Sequence, residues 1–438
     1  MKRLCVWVLC VMLSGLPELV SAATYYVATT GNDSTGDGSI GSPWLTVPKG
    51  IRALAAGDQL YIRAGTYVVS TTYGNVASDT YGPGSTSWAT ATKISNYPGE
   101  TVTIQNAGFN MDQSISTGGV NYLWWKGDAA SRFIFEQTGV GDNMGFRCRK
   151  AVHHIRFESL TVRNFLADGM GCGSDATGTR PSNIEIIDVT VQNNGDNTNL
   201  EHGIYHSGCV DCLVINSRFL GNQAYGMQIY NDLGSAWITN FTAYGNYIEG
   251  RKVGATGTAY CGVFVGTGVV VYNNICVGLG SQSVKYNGGF QLYASTGPKI
   301  YNNTVYDVAS IGVQINTGVT SADVTNNILN TTLTVPIDDQ GTSSTLRTNH
   351  CQSADTGCSV TGSASFTSAA TGDFTLQSGS TARDAGTDLS ATLTTDYIGT
   401  SRPQNGTFDI GAYEYLVSAG GGGSTGNLGR SSKGLGLF

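Results

Sequence analysis

Charge is scarce in this chain, at 13% of residues, and basic charge scarcer still: 24 Lys and Arg stand against 31 Asp and Glu. The formal charge of -7 and pI near 5.2, with no clustered Lys or Arg, exclude nucleic acid as a partner, because phosphate binding needs a basic footprint. Proline is limited to 9 residues and histidine to 5. No glycine run ends in Gly-Lys-Ser/Thr, which removes a phosphate loop, and Asp33 and Asp37 lack the spacing of a calcium loop and read as a turn. Beyond residue 22 no run approaches the roughly 18 to 20 apolar residues of a membrane-spanning helix. Few charges also argue against long exposed helices, while the 60 glycines and 22 tyrosines suit short strands joined by tight turns.

What the chain has is a period. Ser159, Asp188, Ser217, Asn246, Asn274, Asn303 and Asn327 follow one another at steps of 29, 29, 29, 28, 29 and 24 residues, each opening a short alternating segment such as Ser159-Leu160-Thr161-Val162 or Asn303-Thr304-Val305-Tyr306. A glycine opens a second strand in each step: Gly203, Gly226, Gly262, Gly289 and Gly312. A fixed period of this length means stacked repeats, and here each repeat is built from strands. The fold class expected is all-β, a parallel β-helix with one coil per repeat, growing by added coils rather than by added domains.

Residues 1–22 read as a secretory signal, with Lys2 and Arg3 before an apolar run and Val20-Ser21-Ala22 as a small-residue cleavage site. The expected layout is then an entry and cap region at 23–92, coils at 93–350, a closing segment at 351–415 and a Gly/Ser-rich tail at 416–438. A short helix near Val47 to Ala55 is expected to cover the open end of the first coil. Export places the protein outside the cytoplasm: extracellular, at the cell surface or periplasmic. Of the eight cysteines after the signal, Cys351 and Cys358 bracket a short polar loop and are predicted to pair. Cys148, Cys172, Cys209, Cys212, Cys261 and Cys276 allow 15 pairings that spacing does not resolve.

Two stretches carry a family resemblance. Thr24-Tyr25-Tyr26-Val27, Gly31-Asn32-Asp33, Ser42-Pro43-Trp44 with Thr46, Ala56-Gly57-Asp58 and Ala64-Gly65-Thr66-Tyr67 resemble the opening of secreted bacterial right-handed parallel β-helix proteins. Polysaccharide lyases of the pectate, alginate and chondroitin types share that opening. Ser378-Gly379-Ser380, Asp384-Ala385-Gly386-Thr387, Asp396, Gly399, Arg402-Pro403 and Asp409-Ile410-Gly411-Ala412-Tyr413-Glu414 are similar to the closing segment of the same class, found often before a surface anchor. The resemblance implies an extracellular polysaccharide as partner, calcium as a cofactor, and cleavage by β-elimination.

Strand alternation places candidate residues. Ile204, Met227, Val263, Phe290 and Val313, with His206, Ile229, Val265, Leu292 and Ile315, are expected to face inward. Tyr205, Gln228, Phe264, Gln291 and Gln314, followed by Tyr230, Tyr293 and Asn316, would form an outward stripe of rings and amides that suits sugars; a ladder that only stabilises neighbouring coils is the plainer reading. Substrate binding is therefore assigned to Gln228, Tyr230, Phe264, Gln291, Tyr293 and Gln314. The text from Glu201 to Cys212 holds two His and a Cys-x-x-Cys, but four residues of strand span about 13 Å, too far for His202 and His206 to share one ion, so His206 reads as a core side chain. His202, in the turn before its strand, is the candidate functional histidine. The acids Asp168, Asp175, Asp196 and Glu201 are the candidate calcium ligands, with solvated loop residues as the plain alternative. His202, Tyr205, Arg251, Lys252 and Lys285 are the candidate catalytic groups, since proton abstraction beside a uronate carboxylate needs a base. The alternatives are a non-catalytic surface or matrix binder, and a glycoside hydrolase with paired carboxylates. Oligomeric state is not legible.

Overall fold

In the computed structural model, the residues described are 22–416, apart from 70–83, 107, 113–119, 140–143, 174–177, 197–200, 231–236, 279–283 and 331–334. The signal region, the tail beyond 416 and Asp175 lie outside the described residues. Among the described residues, strands stack in register into a 23-stranded and a 12-stranded parallel sheet, while Phe366–Ser368 and Asp373–Leu376 form an antiparallel pair. A typical coil runs Ser182–Ile187, Thr190–Gln192 and Ile204–His206, each strand pairing with its counterpart one coil on. Stacking begins earlier than residue 93. Thr24–Val27 already pairs with Gln59–Ile62, and Gly65–Val68 with Val102–Gln105.

Helix α1, Val47–Ala53, starts where Thr46 accepts a hydrogen bond from the Lys49 N–H, with Pro48 in its first turn. It buries Val47, Gly50 and Ile51 at the raw end of the first coil. Gly50 is needed there because any Cβ would lie 2.6 Å from the Val27 side chain. Asp33 ties the preceding loop to this start, accepting from the Leu45 and Thr46 N–H groups and the Thr46 hydroxyl.

The interior is held by a column of buried amides. The Asn246 Oδ1 accepts from the Ser217 N–H at 2.9 Å, Asn274 from Asn246 at 3.0 Å, Asn303 from Asn274 at 2.9 Å, Asn327 from Asn303 at 3.0 Å and Asn349 from Asn327 at 3.0 Å. From Asn246 to Asn327 each Nδ2 donates to the next Asn Oδ1 and to a strand carbonyl, as Asn303 does to Asn327 and Val271, while Asn349 ends the column by donating to the Val324 and Gly357 carbonyls. Every amide from Asn246 to Asn349 is 0% exposed. Thus each bend satisfies the backbone donors of its neighbour without water, as burial requires.

This column corrects the periodic reading by one residue. Ile187 pairs with Ile215, so Asp188 is level with Asn216, not with Ser217. Ser159, Asp188, Asn216, Gly245, Asn273, Asn302 and Asn326 form a separate column in left-handed conformation, φ 48–66°. The repeat signal jumped from this turn column to the ladder column because both favour short polar residues. The turn column faces out and receives the closing segment: Asn273 donates to the Thr395 carbonyl, Asn302 to Asp409 and Gly411, and Asn326 to Thr387. Phe374, Ala412 and Tyr413 pack on Ile275 and Val277 there, while Ala382 and Ile410 pack on Ile328. Arg402, fully buried, pairs with Glu414 inside the segment at 2.7 Å and ties the segment to the coils through Asn273 at 3.3 Å.

Three disulfides are present. Cys351–Cys358 is paired as expected, and Cys209–Cys212 and Cys261–Cys276 join it. Cys148 and Cys172 are buried thiols. Among the described residues no helix is long and apolar enough to cross a membrane.

Three expectations follow. Asn303→Leu strands the Asn274 donors and the Val271 carbonyl, and denaturant unfolding should show a loss of about 3 to 6 kcal/mol, at about 1–3 kcal/mol for each buried group left unpaired. Asn240→Ala, removing an exposed hydrogen bond to Asp211, should cost less than about 1 kcal/mol. Burial beneath the closing segment holds the His350 pKa down to about 4, below an ordinary 6.5. Its contribution is complete above pH 6.5 and declines as pH falls towards 4, by about 2 kcal/mol at pH 5. His350→Gln should flatten that part of the stability–pH curve; an unchanged slope would contradict the assignment.

Candidate functional site on the glycine-row face

The face opened by the glycines consists of Phe146–Arg149, Met170–Gly173, Ile204–His206, Met227–Ile229, Tyr260–Thr267, Gly288–Thr296, Ile311–Ile315 and Val335–Asp339. Register sorts its side chains. One outward column runs Arg147, Gly171, Tyr205, Gln228, Val263, Gln291, Gln314 and Asp338. Two residues on, Arg149, Gly173, Ser207, Tyr230, Val265, Tyr293, Asn316 and Gln340 continue outward in the same order.

Phe264 is the exception to the expected stripe. Gly262, not Val263, is level with Met227 and Phe290, so Phe264 points inward, 0% exposed, with its ring centroid 6.0 Å from Phe241 and 6.2 Å from Phe290. Val263 and Val265 take the outward places instead. The column that holds Gly226 and Gly289 holds Cys261 in this coil, so the glycine landmark had slipped by one. Although outward, Val263 and Val265 are 2% and 1% exposed, because neighbouring side chains close over them. Around them the Tyr260 hydroxyl donates to Gln314 at 2.7 Å, Gln291 Nε2 to the same oxygen and to the Tyr293 hydroxyl, and Gln314 Nε2 to Asp338 at 3.2 Å. Tyr230 meets Tyr293 edge-on at 5.9 Å. The result is a strip of rings and oriented amides over an apolar floor.

The turn edge of this strip carries His202. Its N–H donates to Asp168 Oδ1 at 2.5 Å, its Nδ1 accepts from the Tyr225 N–H at 3.2 Å, and its ring lies 5.7 Å from Tyr205. With Nδ1 engaged, the ring proton sits on Nε2, towards the Gln228 amide. Burial holds the imidazole pKa down to about 3, so it is neutral at ordinary pH and acts as a hydrogen-bond donor.

The three cationic candidates separate. Arg251 is 2% exposed and spends its guanidinium on the carbonyls of Gln223, Gly257 and Thr256, fastening its own loop. Lys285 pairs with Asp307. Lys252 lies on the His202 edge: its Nζ donates to the Gly195 carbonyl at 2.5 Å, within the field of Asp196 and Glu201, and burial lowers its pKa. Asp196 is exposed and Glu201 half-buried. Asp168 is engaged by the His202 backbone, Lys252 lies near Asp196 and Glu201, and none of the described acids joins a group of three close ligand atoms.

Sequence reasoning passed over Arg147 and Arg149. Both lie in the outward columns, two coils before Tyr205 and Ser207, with only Gly171 and Gly173 between. The signal was available, since Phe146-Arg147-Cys148-Arg149 alternates with the parity of Ile204-Tyr205-His206.

Residues 176–370 match the family model described as the right handed beta helix region. The protein is a right-handed parallel β-helix. Among solved structures, this β-helix resembles pectate lyase Pel9A, at 17% identity and TM-score 0.57, covering 90% of this chain and 97% of that one. It also matches ORF18 of Geobacillus virus E2 (14% identity, TM-score 0.49, 67% and 53% covered) and a rhamnogalacturonan lyase (13%, 0.45, 75% and 87%). No curated protein matches it in sequence.

The β-helix thus presents a rigid strip with guanidinium groups at one end, rings and amides in the middle, and Asp338 at the other. Because Phe264 belongs to the core, Phe264→Ala should lower stability by about 3 to 5 kcal/mol in denaturant unfolding. Unchanged stability would return Phe264 to the surface.

Proposed function

We propose that this β-helix binds an anionic polysaccharide along the glycine-row face and cleaves it by β-elimination. The observation that carries the reading is the shared outward register of Arg147 and Arg149 with Tyr205, Gln228 and Tyr230, bordered by the partly buried Lys252. The likeness to pectate lyase Pel9A supports it at the level of fold. Three disulfides support export and an extracellular setting.

In this reading a guanidinium of Arg147 or Arg149 pairs with the uronate carboxylate and makes the adjacent C5 hydrogen more acidic. Lys252, whose burial favours the neutral amine, accepts that proton. The C5–H electron pair forms the C4–C5 double bond, the C4–O4 bond breaks, and the Tyr205 hydroxyl supplies a proton to the leaving oxygen. Gln228, Gln291, Gln314, Tyr230 and Tyr293 hold flanking sugars, and His202 positions Tyr205 and Gln228. Calcium would be a second means of neutralising the carboxylate, with Asp168, Asp196 and Glu201 of the His202 edge as its candidate ligands.

The test incubates the mature protein with pectate, alginate and chondroitin, with and without calcium, and follows the ultraviolet absorbance of unsaturated product. One polymer should give a rise. Lys252→Met should reduce kcat by about 10² to 10⁴, and Arg149→Ala should lower kcat as well as raise KM. Reducing ends without unsaturation would mean hydrolysis, and retention without either product would mean a binding module; both overturn the elimination reading.

A further inference from the structure

His206 points inward, as parity predicts, but it is not a satisfied core histidine. It is 0% exposed, and neither Nδ1 nor Nε2 has a hydrogen-bond partner. Its surroundings are apolar on one side, with the Phe241 ring edge-on at 6.1 Å. On the other side are two sulfur atoms. Cys209 and Cys212, each 1% exposed, place their Sγ atoms within 4.8 Å of the His206 nitrogen and of one another. Asp211, in left-handed conformation at φ 54°, turns the chain between them, and the two sulfurs are joined as a disulfide. A further cysteine shares the column. Cys172 is level with His206 on the preceding coil, and Cys148 is level with Cys172 on the coil before that. Cys148 and Cys172 are both buried and outside any disulfide, and their side chains hydrogen-bond to each other.

An imidazole buried with both nitrogens unpaired costs free energy that a Cys209–Cys212 disulfide does nothing to recover. A soft cation does recover it. Zinc accepts thiolate sulfur at about 2.3 Å and imidazole nitrogen at about 2.0–2.1 Å, so three donor atoms lying within 4.8 Å of one another can converge on one ion. Among the described residues, the titratable groups level with His206 on the two preceding coils are the Cys172 and Cys148 thiols.

We propose that, with Cys209 and Cys212 as thiols, the interior of this coil is a zinc-class metal site formed by His206, Cys209 and Cys212, with Cys172 as the fourth donor. The three cysteines each give up a proton on binding and no electrons move; the disulfide seen in the structure is the oxidised, metal-free form, and two-electron reduction by a thiol reductant converts one into the other. With four protein donors and no solvent access the site is closed, so its role is to staple two coils together rather than to activate water.

The test uses the full mature chain, reduced anaerobically with a thiol reductant, freed of that reductant and titrated with Co²⁺ and then Zn²⁺. One equivalent of cobalt should give a thiolate charge-transfer band with tetrahedral d–d bands, bleached by one equivalent of zinc. Cys209→Ser, Cys212→Ser and His206→Gln should each lose the band, while Cys351→Ser keeps it. Cys172→Ser should weaken affinity by roughly tenfold or more. Far-ultraviolet circular dichroism of each reduced variant establishes that it is folded; should His206→Gln not fold, Cys212→Ser decides. Absence of the band in the folded, reduced parent chain, or its persistence in Cys212→Ser, overturns the site. Unchanged affinity in Cys172→Ser overturns the fourth donor.

Discussion

A parallel coil must turn its backbone several times per repeat, and each bend leaves donors in the interior that no strand partner reaches. The amide column from Asn246 to Asn349 answers this by letting one side chain serve two coils, accepting from the bend before and donating to the bend after. Coil spacing, strand register and the order of residues on the outer face all depend on that exchange. A coil displaced by one residue would place a ladder amide in the solvent-facing turn and leave its neighbours' donors unpaired in the core.

The same arrangement explains how much the sequence disclosed. The period and the strand alternation were legible because inward positions repeat with apolar residues, and Cys351–Cys358 was legible because seven residues separate its members. Two offsets of one residue were not legible. Asp188 and Ser217 are both short and polar, and nothing in their types separates a left-handed turn position from the buried ladder position that follows it. At Gly262 the chain offers a glycine where a neighbouring coil offers Met227, and Cys261 where it offers Gly226, so counting from glycine placed Phe264 on the wrong face. Only pairing across coils fixes such offsets, since alternation alone has no absolute phase.

The candidate site shows a similar division. Tyr205, Gln228, Gln291 and Gln314 were correctly sorted by parity, whereas the separation of Arg251, Lys252 and Lys285 depends on which carbonyls and carboxylates their flexible ends reach. Arg251 and Lys252 are adjacent in sequence, yet one fastens its own loop and the other crosses to Gly195 on a distant turn. Strand direction sends neighbouring side chains to opposite sides, and a turn edge then gives them unrelated surroundings.

The closing segment has a mechanical consequence. Asn273, Asn302 and Asn326 grip it on three successive coils, and Arg402, paired with Glu414 inside the segment, also reaches Asn273. A pull applied at the C-terminal end therefore does not peel the last coil away one hydrogen bond at a time. It loads several coils at once in shear along the axis, so the end of the solenoid that would otherwise fray first is the one fastened farthest back into its own stack.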